Sequence, residues 1–280
     1  MLFLGEINTL TALRHTSVGM FLGDADGNDV LLPNKYVPDT LREGDAIDVF
    51  LYTDSEDRPV ATTREPALFL NQFGYLRVTA TSRFGAFLDW GLEKDLLVPF
   101  REQVEPLREG QWTVAYLRLD AETGRLVGST KLTKFLETER IDLFEGEEVR
   151  VLVYSRGDIG YNVILDNRYR GLVFYNDVFQ PLTVGSVVTG YVRHLRDDGG
   201  IDVSLQPIGY APNVEAGTEK ILSALQAGQG YLPLTDASEP ALIYNTLGMS
   251  KKSFKKALGA LYRARKVRLT DEGVYLVAEE

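Results

Sequence analysis

The stretch Leu41-Arg42-Glu43-Gly44 occurs twice in this chain of 280 residues, the second time as Leu107-Arg108-Glu109-Gly110, 66 residues later. At the same offset and without a gap, residues 10–56 share fourteen identities with residues 76–122. Unrelated sequences of this length share about three identities at typical residue frequencies. The chain therefore contains a duplicated unit.

A third and weaker copy follows the second at an offset of 75 residues. Gly85 then corresponds to Gly160, and Gly110 to Gly185. The copies predict three related domains, with the boundaries 1–64, 66–132 and 145–206.

Each copy consists of short apolar or β-branched runs separated by turn residues. Five strands in about 60 residues, with a long excursion before the fourth, predict a small Greek-key barrel of the oligonucleotide/oligosaccharide-binding (OB) type. In the second copy the predicted strands lie at residues 75–81, 86–90, 96–100, 112–119 and 125–129.

The last quarter of the chain changes from a period of two residues to one of 3.6. Thr218 is predicted to cap a first helix, Pro240 precedes a second at residues 241–247, and Ser250 opens a third. Apolar residues of the third helix recur at helical spacing and form one face: Phe254, Ala257, Leu258, Leu261 and Tyr262.

Two short strands after the third helix, at residues 267–269 and 274–277, flank a turn sequence and predict a hairpin. Three helices followed by a hairpin are typical of the winged helix, here at residues 215–280. The predicted fold is mainly β and multi-domain: three tandem five-stranded OB-fold barrels followed by an α+β winged-helix domain.

The second copy carries a specific set of motifs. Phe84-Gly85-Ala86-Phe87-Leu88 is followed by Leu96-Leu97-Val98-Pro99 and by a last hairpin with Asp120 and Arg125. Together they resemble the RNA-binding domain first described in ribosomal protein S-one. Aromatic rings of such a domain stack on the unstacked bases of single-stranded RNA. The resemblance implies that nucleic acid is surrounded by Phe84, Phe87, Phe100, Asp120 and Arg125.

Copies one and three depart from this pattern, because Val18 and Ile159 replace the first aromatic residue. Copy two is therefore the predicted binder, and a structural role is the expectation for the other two. A core position for Phe84 or Phe87 is the alternative, since strict alternation puts them on opposite faces unless Gly85 supplies a bulge.

Three barrels followed by a winged helix, with the segment Gly248–Tyr262 near the end, are similar to the bacterial conserved virulence factor B family over essentially the whole chain. This resemblance implies an RNA-binding, post-transcriptional regulator of gene expression, and a virulence regulator. It implies no catalytic residues.

Charge is distributed unevenly along the chain. The net charge of -10 argues against coating nucleic acid by bulk electrostatics, yet residues 249–268 contain eight basic residues and no acidic one. The third helix is therefore predicted to contact phosphate, because a helix N-terminus also presents free amides. The predicted contacts are Ser250, Lys251, Lys252, Lys255, Lys256 and Arg263.

Three other interpretations of this basic helix stay open. In the first, the basic face of the helix is simply solvated. In the second, its last basic residues complement the helix dipole. In the third, the helix docks on the acidic barrels of its own chain or of a second copy. Duplex DNA or a protein is the alternative partner to single-stranded RNA, and the sequence leaves the oligomeric state open.

The sequence gives little support for an enzymatic activity. The chain has no cysteine, its two histidines lie outside any metal-ligand spacing, and it has no phosphate-binding Gly-Lys loop or serine-nucleophile elbow. We therefore expect no enzymatic activity, no metal and no cofactor. No apolar stretch approaches the roughly 18 residues of a membrane span, and the lack of cysteine suits a reducing compartment, so a cytoplasmic location is expected.

Overall fold

The computed structural model describes residues 1–178, 181–207 and 214–277, without the side chains of 214–216. The fold is mainly β, with three five-stranded barrels and a C-terminal winged-helix region. The chain divides into two compact units, Met1–Leu136 and Glu137–Glu280.

Barrel one is closed. Its strand order is β1-β2-β3-β5-β4, in which β1 pairs antiparallel with β4 and a parallel pairing of β3 with β5 completes the circle. Alternate side chains point inward, and Leu10, Leu22 and Leu32 are buried. The strands are β1 (Ile7–His15), β2 (Gly19–Gly23), β3 (Asp29–Pro33), β4 (Ala46–Thr53) and β5 (Pro59–Thr62).

Barrel two has the strand order β10-β9-β6-β7-β8 and is nearly closed. Side chains cover the seam between β8 and β10: a Cβ at Gly128 would lie 2.8 Å from Val98 Cγ2, and Gln103 Nε2 donates to the Val98 carbonyl oxygen at 2.8 Å. The strands are β6 (Phe73–Ser82), β7 (Gly85–Asp89), β8 (Leu96–Pro99), β9 (Trp112–Leu119) and β10 (Leu126–Ser129).

One hydrophobic cluster joins barrels one and two: Phe50, Tyr52 and Val60 of barrel one pack with the interior of barrel two, whereas the interior of barrel one forms a cluster of its own. The Phe50 ring on β4 is fully buried and meets the rings of Phe69 and Trp90 edge to face, each at 5.8 Å between centroids. Leu68 of the connecting segment is also fully buried. The Trp90 indole Nε1 donates to the carbonyl oxygen of Lys94 at 2.6 Å, so its polar atom is satisfied. Unit one is therefore held together by apolar side chains from both barrels.

Barrel three, in unit two, is closed with the order β11-β12-β13-β15-β14. A parallel pairing of β13 with β15 again completes the circle, and valines such as Val151 and Val163 fill the interior. The strands are β11 (Glu148–Arg156), β12 (Gly160–Leu165), β13 (Tyr169–Phe174), β14 (Val187–Leu195) and β15 (Ile201–Ser204).

The winged helix packs three helices against a three-stranded sheet of order β16-β18-β17. Phe254 is fully buried at its centre. Gly248, with φ 60, ends α2 in the left-handed conformation that glycine tolerates best. The elements are α1 (Val214–Ala227), β16 (Tyr231–Leu232), α2 (Pro240–Leu247), α3 (Lys251–Arg263), β17 (Val267–Leu269) and β18 (Val274–Leu276).

Two local predictions in this region differ from the structure. Thr218 lies inside α1 and does not cap it, because the helix already begins at Val214. The hairpin has a third strand, since β16 pairs with β18; two residues are too short to show a period of two. In the described ranges, no helix has the length and apolar character needed to cross a membrane.

Candidate nucleic-acid interface

The aromatic residues of barrel two lie at one end of β7 and β8. Phe84 and Phe100 are 60% and 54% exposed, whereas Phe87 is half-buried. Gly85 pairs with Pro99, so Phe84 and Phe100 flank the same end of the strand pair. The Arg83 guanidinium lies 4.8 Å from the centre of the Phe84 ring, within the range of a cation–π contact. Phe84 and Phe100 are thus on the surface and not in the core.

Gly85 makes the exposure of Phe84 possible. Its φ is +149, and a Cβ there would lie 2.1 Å from the Val98 carbonyl oxygen, a distance that no side chain permits. The strand can therefore turn Phe84 outward although strict alternation would point it inward. Barrel three repeats the close approach, because a Cβ at Gly160 would lie 2.2 Å from the Val173 carbonyl oxygen.

Asp120 serves the local structure of barrel two. The residue is 4% exposed, its carboxylate accepts from the Glu122 amide at 3.0 Å, and it is ion-paired with Arg101. The amide and the guanidinium hold the pKa of this carboxyl below its usual value. Asp120 therefore fixes the last hairpin of the barrel.

Arg125 faces barrel one. Its guanidinium lies 2.5 Å from the carboxylate of Asp57, which also pairs with Lys94 Nζ at 3.1 Å. Arg125 and Phe87 line a small pocket of about 100 Å³ together with Tyr52 and Asp57 of barrel one. The structure thus brings Phe87 and Arg125 together. The pocket that they line lies beside the hairpin that joins β4 and β5 of barrel one.

Ser250 acts as the N-cap of α3. Its Oγ accepts from the Ser253 amide at 3.0 Å and shares a hydrogen bond of 2.8 Å with Ser253 Oγ. The residue is 4% exposed, so its hydroxyl group is engaged inside the domain. Ser250 positions the helix and the lysines that follow it.

A cleft of about 750 Å³ separates the start of α3 from the end of β13 in barrel three. The lining of the cleft has a net charge of +2, because it contains three lysines and one arginine but only two aspartates. Lys251, Lys252 and Lys255 line one side, whereas Lys256 and Arg263 are exposed elsewhere on the helix. The cleft is lined by Phe174, Tyr175, Asn176, Asp177, Arg193, Asp202, Pro240, Lys251, Lys252 and Lys255.

The lysines of the cleft keep most of their charge available. Lys251 Nζ donates to the carbonyl oxygen of Ala237 at 3.2 Å, a neutral partner. Among the described residues, only Lys255 of the three has an ion-pair partner, Asp236 at 3.6 Å. The two carboxylates in the cleft are already neutralised, because Asp177 pairs with Arg193 at 2.6 Å and Asp202 pairs with Arg196. This wall therefore suits an anion.

The opposite wall is aromatic and held in place. Arg156 Nε donates to the Tyr175 hydroxyl at 2.9 Å, and that hydroxyl donates to the Gly157 carbonyl oxygen at 2.5 Å. This hydrogen bond raises the pKa of the already basic Arg156. The ring of Tyr161 meets Tyr175 edge to face at 5.3 Å. Little conformational entropy would therefore be lost if a planar ligand stacked on Tyr175.

Sequence reasoning missed the aromatic wall of barrel three. At the offset of 75, Tyr175 corresponds to Phe100, which was a predicted contact in barrel two. The adjacent Phe174 and Tyr175 at the end of a predicted strand were the available signal. In the parts of the chain that the structure describes, no three His, Asp or Glu side chains are grouped to hold a metal.

Comparisons with known proteins agree with this architecture. A family model described as S1 domain matches residues 4–64, which form barrel one, although the motif argued from the sequence lies in barrel two. A model described as CvfB-like winged helix domain matches residues 219–276. Both are nucleic-acid-binding domain types, and neither is known as an enzyme.

Relatives match over nearly the whole chain. An uncharacterized protein, YitL, of Bacillus subtilis is 30% identical over 273 residues, which cover 94% of this chain and 90% of its own. Conserved virulence factor B of Staphylococcus haemolyticus is 26% identical, with 96% and 95% covered. A crystal structure from Streptococcus pneumoniae, described as a multidomain protein with nucleic acid binding domains, is 25% identical with a TM-score of 0.43 over 98% of each chain.

The matched domains are of nucleic-acid-binding type and point to a nucleic acid as the partner of this chain. A 30% identical relative is covered over 90% of its length, and a protein named conserved virulence factor B is covered over 95%, so the chain belongs to the conserved virulence factor B family.

Proposed function

We propose that this protein binds single-stranded RNA in the cleft between barrel three and α3, and that it acts through this binding as a cytoplasmic, non-enzymatic, post-transcriptional regulator of gene expression. One observation carries the proposal: lysines and fixed aromatic rings face each other across one cleft. This pair of chemistries matches the two parts of a nucleotide, the phosphate and the base.

The cationic wall binds the RNA backbone. Lys251, Lys252 and Lys255 project from the first two turns of α3, where the helix dipole also favours negative charge. Each phosphate contact releases condensed counterions, so binding weakens as the salt concentration rises. Such contacts provide affinity without reading sequence.

The aromatic wall selects single strands. Phe174 and Tyr175 can stack only on bases that are not already stacked and paired in a duplex. Asn176 and Asp177 on the same wall offer oxygen acceptors for a 2′-hydroxyl group, which DNA lacks. The cleft therefore favours single-stranded RNA over duplex DNA.

Binding of the full-length protein to fluorescein-labelled single-stranded RNA tests the proposal. We expect the anisotropy titration to show binding that weakens steeply between about 50 and about 200 mM salt, because phosphate contacts dominate the affinity. Unlabelled duplex DNA should fail to displace the RNA. Absence of RNA binding at low salt would refute the proposal, and displacement by duplex DNA would favour a winged helix that binds DNA.

Barrel two provides a second contact in this proposal, because Phe84 and Phe100 are exposed side by side at the end of its strands. Replacing both by serine should weaken the binding of an RNA of about 24 nucleotides about tenfold, since one stacked base contributes roughly 1–3 kcal/mol. Phe87 is left unchanged because it is half-buried.

Phe144→Ser is the matched control for this pair, since Phe144 is 65% exposed and lies outside both aromatic sets. The same anisotropy titration measures all variants. Unchanged affinity of the Phe84→Ser/Phe100→Ser protein would remove barrel two from RNA binding. Its exposed rings would then favour a contact with a protein partner.

A further inference from the structure

The outer face of the small sheet in the winged helix carries an arginine and two tyrosines in one row. Arg268 on β17 pairs with Tyr275 on β18, and Tyr275 pairs with Tyr231 on β16. The Arg268 guanidinium lies 5.1 Å from the centre of the Tyr275 ring, and the two tyrosine rings are 4.7 Å apart with a tilt of 37°. We call Arg268, Tyr275 and Tyr231 the wing row.

The wing row is not needed for the core of the domain. The neighbouring residues of the same strands, Val267, Val274 and Leu232, are buried and fill the opposite face. Arg268 is exposed, and the two tyrosines are half-buried. The Tyr231 hydroxyl donates to the Glu272 carbonyl oxygen at 2.9 Å, which fixes its ring. The row is thus a preformed aromatic and cationic surface.

Further cations surround one end of this surface. Arg263 ends α3, and Arg265 and Lys266 form the turn into β17, all three exposed. The carboxylates of the hairpin, Asp271 and Glu272, lie at the opposite end, in its turn. In a chain of net charge -10, this clustering of cations beside aromatic rings fits a polyanion that has accessible flat bases.

We infer that the wing row is a further contact for the same single-stranded RNA, which leaves the cleft, follows α3 and stacks on Tyr275. This inference rests on the proposed function. α3 has 13 residues and is about 20 Å long at about 1.5 Å per residue, with the cleft lysines at its start and Arg263 at its end. At about 3.4 Å per stacked nucleotide, this length corresponds to roughly six nucleotides beyond the cleft.

A length series distinguishes the two contacts. Fluorescein-labelled oligouridylates of about 5 and about 16 nucleotides are titrated with full-length wild-type protein and with the Arg268→Gln/Tyr275→Leu variant, because the shorter RNA cannot both occupy the cleft and span α3. We expect the variant to bind the longer RNA about tenfold more weakly and the shorter RNA within about twofold of wild type. A longer strand also offers more binding registers, but that factor cancels in the variant-to-wild-type ratio at each length.

Two further proteins control the experiment. Arg268→Gln alone leaves the tyrosines in place, and because Arg268 is exposed it retains the fold even if the double variant does not; we expect a loss of about threefold on the longer RNA. Arg108→Gln removes the same charge from an exposed residue of unit one and should change neither affinity.

The outcomes separate this inference from the proposed function. Equal losses on both RNAs, or no loss on either, would overturn the wing contact while the cleft remains. Binding of neither RNA by wild-type protein would overturn both. A loss confined to the longer RNA supports the wing row as a distinct RNA contact.

Discussion

Replacing Lys251, Lys252 and Lys255 together by alanine should weaken the binding of an RNA of about eight nucleotides about 100-fold at low salt. Each lysine contributes roughly 1 kcal/mol of phosphate contact, and every 1.4 kcal/mol is a factor of ten. Three lost contacts on a single strand should also lower the slope of log affinity against log salt by about 2. Anisotropy titrations at several salt concentrations measure both quantities.

Lys256 provides the matched control for this variant. It lies on the same helix and is exposed, but it does not line the cleft, so Lys256→Ala should leave affinity and salt slope near those of wild type. Alanine favours the helix, and α3 keeps its Ser250 cap in both variants. Equal losses in the two variants would show that the helix attracts RNA by its general charge and not by the cleft.

The Phe50→Ala variant should lower the free energy of unfolding of unit one by about 3–5 kcal/mol. Phe50 is fully buried between the two barrels and contacts two other aromatic rings, so its loss leaves a cavity that the surrounding strands fill only in part. Because Phe50 belongs to β4 of barrel one but packs with the interior of barrel two, both barrels should lose stability together.

Urea denaturation followed by tryptophan fluorescence measures this effect. Both tryptophans of the chain, Trp90 and Trp112, lie in barrel two, whereas the substitution is in barrel one. A shift of the tryptophan transition would therefore report coupling between the barrels. Phe3→Ala, at a residue 52% exposed, is the control and should change stability by less than about 0.5 kcal/mol. An unshifted tryptophan transition in Phe50→Ala would contradict a stabilising contact between the two barrels.

Local patterns predicted the elements of this fold well. The repeat offset of 66 residues led to the barrels, and the apolar spacing around Phe254 led to the winged helix, because barrel strands and amphipathic helices leave periodic signals. The cap at Ser250 was predictable for the same reason: its partner is only three residues away.

Long-range contacts explain what the sequence did not reveal. Arg125 was predicted to face RNA, but it pairs with Asp57, 68 positions earlier, and no local pattern indicates that pairing. The lysines of α3 were predicted to bind phosphate, and the cleft places three of them opposite Phe174 and Tyr175 of barrel three, for which the sequence had suggested no role. The RNA-contact roles of Phe84, Phe87, Phe100, Asp120 and Arg125 stay predictions.

The hydrophobic cluster that joins barrels one and two makes the two copies of the repeat different. At the offset of 66, the buried ring of Phe50 corresponds to Tyr116 and that of Tyr52 to Arg118, and both later residues are only partly buried. The two copies thus differ at these positions: copy one presents aromatic rings to its neighbour, and copy two has a phenol and a guanidinium group there. We therefore expect a chain with the two copies in reverse order to lose this contact, because Arg118 would stand in place of Tyr52 against the neighbouring barrel.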